Sequence, residues 1–134
     1  CVRCGGCAVA CVHEAIVLPE GLEGEDGPGL PEIRPTAAPC RLCMVCPSVC
    51  PTRALRSTPK RAVAMGMAVI DDTRCIAHRG GVCDLCLEAC PFPGVALLHD
   101  DDRPLIVAEA CVGCGQCSHA CPTDPPSVTI GPRR

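Results

Sequence analysis

The chain has no tryptophan and no tyrosine, and Phe92 is its one phenylalanine. A core built on aromatic side chains, which supply much of the buried area of ordinary domains, is therefore excluded. No apolar run approaches the roughly 18 to 20 residues of a membrane-spanning helix. Charge of neither sign dominates. The formal net charge is −3, and the basic residues are scattered without aromatic partners, so nucleic acid is not an expected partner. There is no phosphate loop, no C-x-x-C-H haem attachment and no candidate triad, so no catalytic residue is named. The chain opens on Cys1 rather than an initiator Met and reads as a fragment or processed form. The lack of a targeting segment then says nothing against export. Fifteen prolines and thirteen glycines in 134 residues leave little room for long helices or strands. A chain so poor in core material needs staples, either disulfides or metals.

The staples are the sixteen cysteines, all of which fall in four runs. The first is Cys1, Cys4, Cys7 and Cys11; the second is Cys40, Cys43, Cys46 and Cys50. The third is Cys75, Cys83, Cys86 and Cys90; the fourth is Cys111, Cys114, Cys117 and Cys121. Gaps of two, two and three residues recur, except that seven residues follow Cys75. Proline follows the last cysteine in all runs but the first, where Val12 stands.

Disulfides fit this spacing poorly, because clumped thiols crowd round a shared point instead of facing one another in pairs. A zinc-stapled interaction module would use paired C-x2-C knuckles, which leaves the third cysteine of each run surplus. The spacing C-x2-C-x2-C-x3-C-P is that of bacterial [4Fe–4S] ferredoxins. Three thiols on a tight loop can hold three corners of a cluster. The fourth, biased to extended backbone by the proline, can reach the neighbouring one. Glycines within the runs, such as Gly5, Gly6, Gly113 and Gly115, let backbone N–H groups approach sulfur. All sixteen cysteines are thus candidate ligands of the iron in four [4Fe–4S] clusters. Without them the chain is expected to be largely unfolded.

Short apolar pieces follow each run, at Ala15–Leu18, Ala54-Leu55, Val95–Leu98 and Ser127–Ile130, and others precede the third and fourth runs at Met67–Ile70 and Leu105–Ala110. The repeating unit is strand, cysteine loop, strand. A missing strand before Cys1 fits truncation. The expected fold is small and α+β, with tandem bacterial ferredoxin-like modules of short strands and cysteine loops organised around iron–sulfur clusters. Half-repeats span about 1–30, 31–60, 61–100 and 101–134 in one four-cluster domain. Spacing alone leaves their pairing open. Four-cluster subunits of this general kind commonly nest their halves, so nested pairing is the expectation. It would group Cys1, Cys4 and Cys7 with Cys121, and Cys111, Cys114 and Cys117 with Cys11. The inner pair would be Cys40, Cys43 and Cys46 with Cys90, and Cys75, Cys83 and Cys86 with Cys50.

Outside the runs, Pro19–Pro39 is rich in Pro, Gly and acids and reads as a connecting loop or a partner-docking surface. His99–Pro104 reads as a hairpin turn. Among the four histidines only His78, in the long gap of the third run, merits weighing as a ligand, and the quartet there is already complete. Met65 and Met67 read as packing.

The sequence resembles the NapG/MauM family of ferredoxin-type proteins. The resemblance rests on "CVRCGGCAVAC" at the start, Pro39-Cys40 entering the second run, "MGMAVIDDTRC" before the third, and above all the third run itself, C-x7-C-x2-C-x3-CP. It covers essentially the whole chain. It implies a periplasmic electron-transfer subunit, exported folded by a twin-arginine signal. Its partners would be a membrane quinol dehydrogenase subunit and a redox acceptor protein such as nitrate reductase, or a methylamine-utilisation pathway for MauM-like members. The second run is two residues shorter between Cys43 and Cys46 than the family pattern. A cytoplasmic iron–sulfur subunit of a larger oxidoreductase, such as a dehydrogenase or hydrogenase, remains the alternative.

Overall fold

The cysteine loops set the local backbone before any strand does. The computed structural model describes residues 1–20 and 29–133. In three of the four runs the residues on both sides of the second cysteine have positive φ: Arg3 (53°) and Gly5 (73°), Leu42 (54°) and Met44 (59°), Gly113 (71°) and Gly115 (80°). Such left-handed residues curl the chain so that successive N–H groups turn inward, as in the backbone nests that cradle anions and iron–sulfur groups. Arg3, Leu42 and Met44 adopt this conformation despite their side chains, at about 1–2 kcal/mol each.

Each loop then runs into a single helical turn that carries the third cysteine. These are α1 (Gly6–Val9), α2 (Val45–Ser48), α3 (Leu85–Ala89) and α4 (Gln116–His119). The third run differs. Its longer gap makes the turn with Gly80 (φ 86°) instead, and α3 starts from Asp84 at φ −133°.

The strands are short: β1 (Ile16–Val17), β2 (Glu32–Ile33), β3 (Met67–Ile70), β4 (Leu97–Asp100), β5 (Arg103–Ile106) and β6 (Val128–Gly131). All pair antiparallel, β1 with β2, β3 with β6 and β4 with β5. The β4–β5 hairpin turns on Asp101 and Asp102, both at positive φ (46° and 61°), as a two-residue loop of type I′ requires. The acidic stretch is thus the hairpin turn expected from the sequence.

The expected apolar pieces map onto strands unevenly. Met67–Ile70 is β3, and Ser127–Ile130 slides one residue to become β6. Ala54-Leu55 forms no strand; the Leu55 N–H donates to the Cys50 sulfur instead. Within Pro19–Pro39, Glu32–Ile33 forms β2, which the reading as a loop missed, while residues 21–28 lie outside the described residues.

Two cores result. One is formed by Ala68, Cys86, Leu97, Cys111, Cys117 and Val128, so half of its buried members are cysteines. It joins the third and fourth half-repeats, and Met67 packs against it. The other consists of Leu42, Val112 and Cys114, with Met65 and Phe92 against it. Leu42 comes from the second run and Val112 and Cys114 from the fourth, so this core lies between the N-terminal and C-terminal halves. Backbone packs closely there. A Cβ on Gly115 would lie 2.2 Å from the Pro35 carbonyl oxygen, and one on Gly113 would lie 2.5 Å from Gly66 backbone atoms.

Candidate metal centres

The sixteen cysteines are all free thiols, and they sort into four cavities. Cys1, Cys4, Cys7 and Cys50 line the first. Cys40, Cys43, Cys46 and Cys11 line the second. Cys90 joins Cys111, Cys114 and Cys117, and Cys121 joins Cys75, Cys83 and Cys86. In every case the first three thiols of one run meet the fourth thiol of another, as the proline-steered crossing anticipates. Val12 in place of proline does not prevent Cys11 from crossing.

The partners, however, are the adjacent runs. The nested grouping expected from the sequence is corrected: Cys50, not Cys121, meets the first run, and Cys90 meets the fourth. The physical reason is local packing. Helix α1 packs on α2 and α3 on α4, which brings each fourth cysteine, just past its helix, under the neighbouring loop. The β3–β6 pairing then closes the third and fourth half-repeats into one module.

Donors aim at the sulfurs. Backbone N–H groups of Leu42, Leu55, Ala68 and Phe92 donate to Cys40, Cys50, Cys111 and Cys90 at 3.4–3.5 Å. The Ser127 and Thr123 hydroxyls lie 3.2 Å from the Cys121 sulfur, and Ser127 is only 2% exposed. Thr52 stands at the matching position beside Cys50, at 3.8 Å. Hydrogen bonds of this kind stabilise thiolate sulfur and tune a cluster's potential.

Thiol acidity follows the same geometry. Burial pushes Cys117 up to about 12 and Cys86 up to about 11, helped by neighbouring thiolates. Burial also acts on Cys121, but the bonds from Ser127 and Thr123 outweigh it and bring that thiol down to about 7. Cys40 is raised by burial against the Leu42 N–H, and the nearby Cys114 thiolate raises it further. Buried thiols this weakly acidic stay protonated until a metal displaces the proton.

The donor set fits a cluster better than a single ion. Four thiols spread round a cavity suit the corners of a [4Fe–4S] group. His78 is not among them; its Nε2 lies 3.1 Å from the Pro104 carbonyl, a structural tie. No helix among the described residues is long and apolar enough to cross a membrane.

Comparison with known proteins places 4Fe-4S domains along the chain. Two family profiles, each described as a 4Fe-4S dicluster domain, match the chain, one over residues 1–54 and again over 39–95, the other over 80–125. The ferredoxin-type protein NapG of Escherichia coli (strain K12) is 30% identical over 98% of this chain and 64% of its own length. The methylamine utilization ferredoxin-type protein MauM of Paracoccus denitrificans is 33% identical over 99% of this chain and 65% of its own. MauM of Methylorubrum extorquens is 32% identical, over 99% and 66%. The chain thus spans a little under two thirds of the length of these relatives.

Proposed function

We propose, for a chain that belongs to the 4Fe–4S dicluster domain family, that its sixteen cysteines hold four [4Fe–4S] clusters and that it passes single electrons between protein partners. The observation that carries this reading is the sorting of the thiols into four cavities, each with one thiol crossed over from the adjacent run. When bound, such clusters supply one-electron transfer, and with four thiolates each they offer no open iron for substrate chemistry. The chain's own residues do the rest. The quartets fix the clusters, the N–H and hydroxyl donors stabilise the sulfurs, and Leu42, Leu97, Val112 and Val128 keep water from the loops around them.

The likeness to NapG and MauM ferredoxin-type proteins supports a periplasmic setting. There the chain takes electrons from a membrane quinol dehydrogenase subunit and delivers them to a redox acceptor, in a nitrate-reductase or a methylamine-utilisation pathway. Anaerobic loading with iron and sulfide tests the first half of this reading. About sixteen iron and sixteen labile sulfide per chain are expected, with a rhombic electron paramagnetic resonance signal after reduction. A colourless protein that takes zinc and no sulfide would overturn it. Location is tested by fractionating cells and reading the DNA upstream of the Cys1 codon. A twin-arginine signal and a periplasmic protein are expected; a cytoplasmic protein without that signal would make it a subunit of a cytoplasmic oxidoreductase.

A further inference from the structure

Hydrogen bonds between the two modules gather at one place, where the loop of the second cysteine run meets that of the fourth. The Cys40 N–H donates to the Cys114 carbonyl at 2.8 Å. Gln116, at the start of α4, donates from Nε2 to the Cys40 carbonyl at 3.2 Å, and the same nitrogen lies 3.8 Å from the Cys114 sulfur. Arg41 Nη1 donates to Gln116 Oε1 at 2.9 Å. The amide has one permissible orientation: Arg41 can only donate and a carbonyl can only accept, so Oε1 must face Arg41 and Nε2 must face Cys40. Beneath this network, Leu42 packs on Val112 and Cys114.

We propose that Gln116 is a positioning residue that docks the second quartet's loop on the fourth's and donates to the Cys114 sulfur, so that the four quartets lie along one path in the order first, second, fourth, third. The proposal rests on the cluster reading above. Within each module the crossed fourth cysteine ties first to second and third to fourth. Between modules the tie runs from second to fourth. Chain order and path order therefore differ, and the first and third quartets are the ends. An amide N–H turned towards a thiolate favours the more negative state of whatever that thiolate holds, so it raises the potential there and nowhere else.

The test is a redox titration of the fully loaded chain followed by electron paramagnetic resonance, comparing wild type with Gln116→Leu and Gln116→Glu. In Gln116→Leu one midpoint should move negative, by roughly a tenfold change in its reduction equilibrium, about 59 mV for one electron. The other three should stay, and the magnetic interaction between two of the clusters should weaken. Gln116→Glu, which puts an acceptor beside the sulfur, should move the same midpoint further. A residue that merely fills space would move no potential. Four unmoved midpoints in both variants at full iron content would overturn the proposal. A second measurement needs no variant. The Cys40 amide in the loaded wild-type chain should be protected from hydrogen exchange, and exchange at the rate of an exposed amide would overturn the docking even if both variants fail to load. Failure of the wild type itself to take up iron and sulfide would instead sink the cluster reading, which separates the two.

Discussion

The N-terminal and C-terminal modules use the same cysteine pattern but enclose it differently. In the C-terminal module Cys75, Cys86, Cys111, Cys114 and Cys117 are all buried; in the N-terminal module none of the eight cysteines is, and Cys1, Cys4 and Cys43 are exposed. The cavities follow suit, about 240 and 170 Å³ in the N-terminal module against about 20 and 10 Å³ in the C-terminal one. The cause is secondary structure. The C-terminal module has an outer strand pair, β3–β6, as well as the inner hairpin β4–β5, whereas among the described residues the N-terminal module has only β1–β2. Leu42, its best-buried large side chain at 2% exposure, packs on the other module. One half of the molecule is thus built round its thiols, and the other leans on it.

That difference is open to breakage. The largest effect is expected at Gly115, where a methyl group would lie 2.2 Å from the Pro35 carbonyl and the backbone sits at φ +80°. Gly115→Ala should cost about 2–4 kcal/mol and detach the N-terminal module, seen as a lower thermal midpoint and early proteolysis between residues 56 and 66. An unchanged midpoint would mean that the modules do not lean on each other. Next comes chelator challenge of the loaded chain. Iron should leave in two phases, the exposed N-terminal pair first, with a plateau near half the initial iron; a single phase would erase the contrast. Smaller is Ser127→Ala, which removes the buried hydroxyl at Cys121. It should lower the potential of the cluster held there and cost about 0.5–1.5 kcal/mol, whereas Thr52→Ala, at the longer 3.8 Å contact in the N-terminal module, should shift its own cluster less. Smallest is His78→Leu. Loss of its bond to Pro104 should cost about 1 kcal/mol and leave the iron count unchanged; loss of one cluster's iron would make His78 a ligand after all.

Much of this was legible in the residues. The cysteine spacing carried the loops, the crossing of the fourth thiol and the ferredoxin-like fold, because C-x2-C-x2-C allows little backbone freedom once its thiols must face one point. Met67–Ile70 was readable as a strand because four apolar residues sit between turn signals. What was not legible is long-range. The spacing of each run is the same whichever neighbour it pairs with, so nested and sequential pairing look alike until α1 packs on α2 and α3 on α4. Glu32–Ile33 hid as a strand because it is two residues long among prolines. Gln116 carried no signal at all, since an amide between two cysteines is ordinary on a surface and becomes a tie only when Cys40 arrives beneath it. A hint for Ser127 did exist: Thr follows Cys-Pro at both Thr52 and Thr123, marking the crossed thiol as a place where hydroxyls gather.

The central claim is that adjacent runs share their clusters, and iron content in a double-substitution cycle tests it most directly. Cys4→Ala and Cys50→Ala should each remove one cluster, about four irons, and the two together should remove no more than either alone. Cys50→Ala combined with Cys83→Ala should remove about eight, because those thiols face different cavities. The reverse pattern, additive loss for Cys4 with Cys50 and shared loss for Cys50 with Cys83, would contradict the account and restore the nested arrangement.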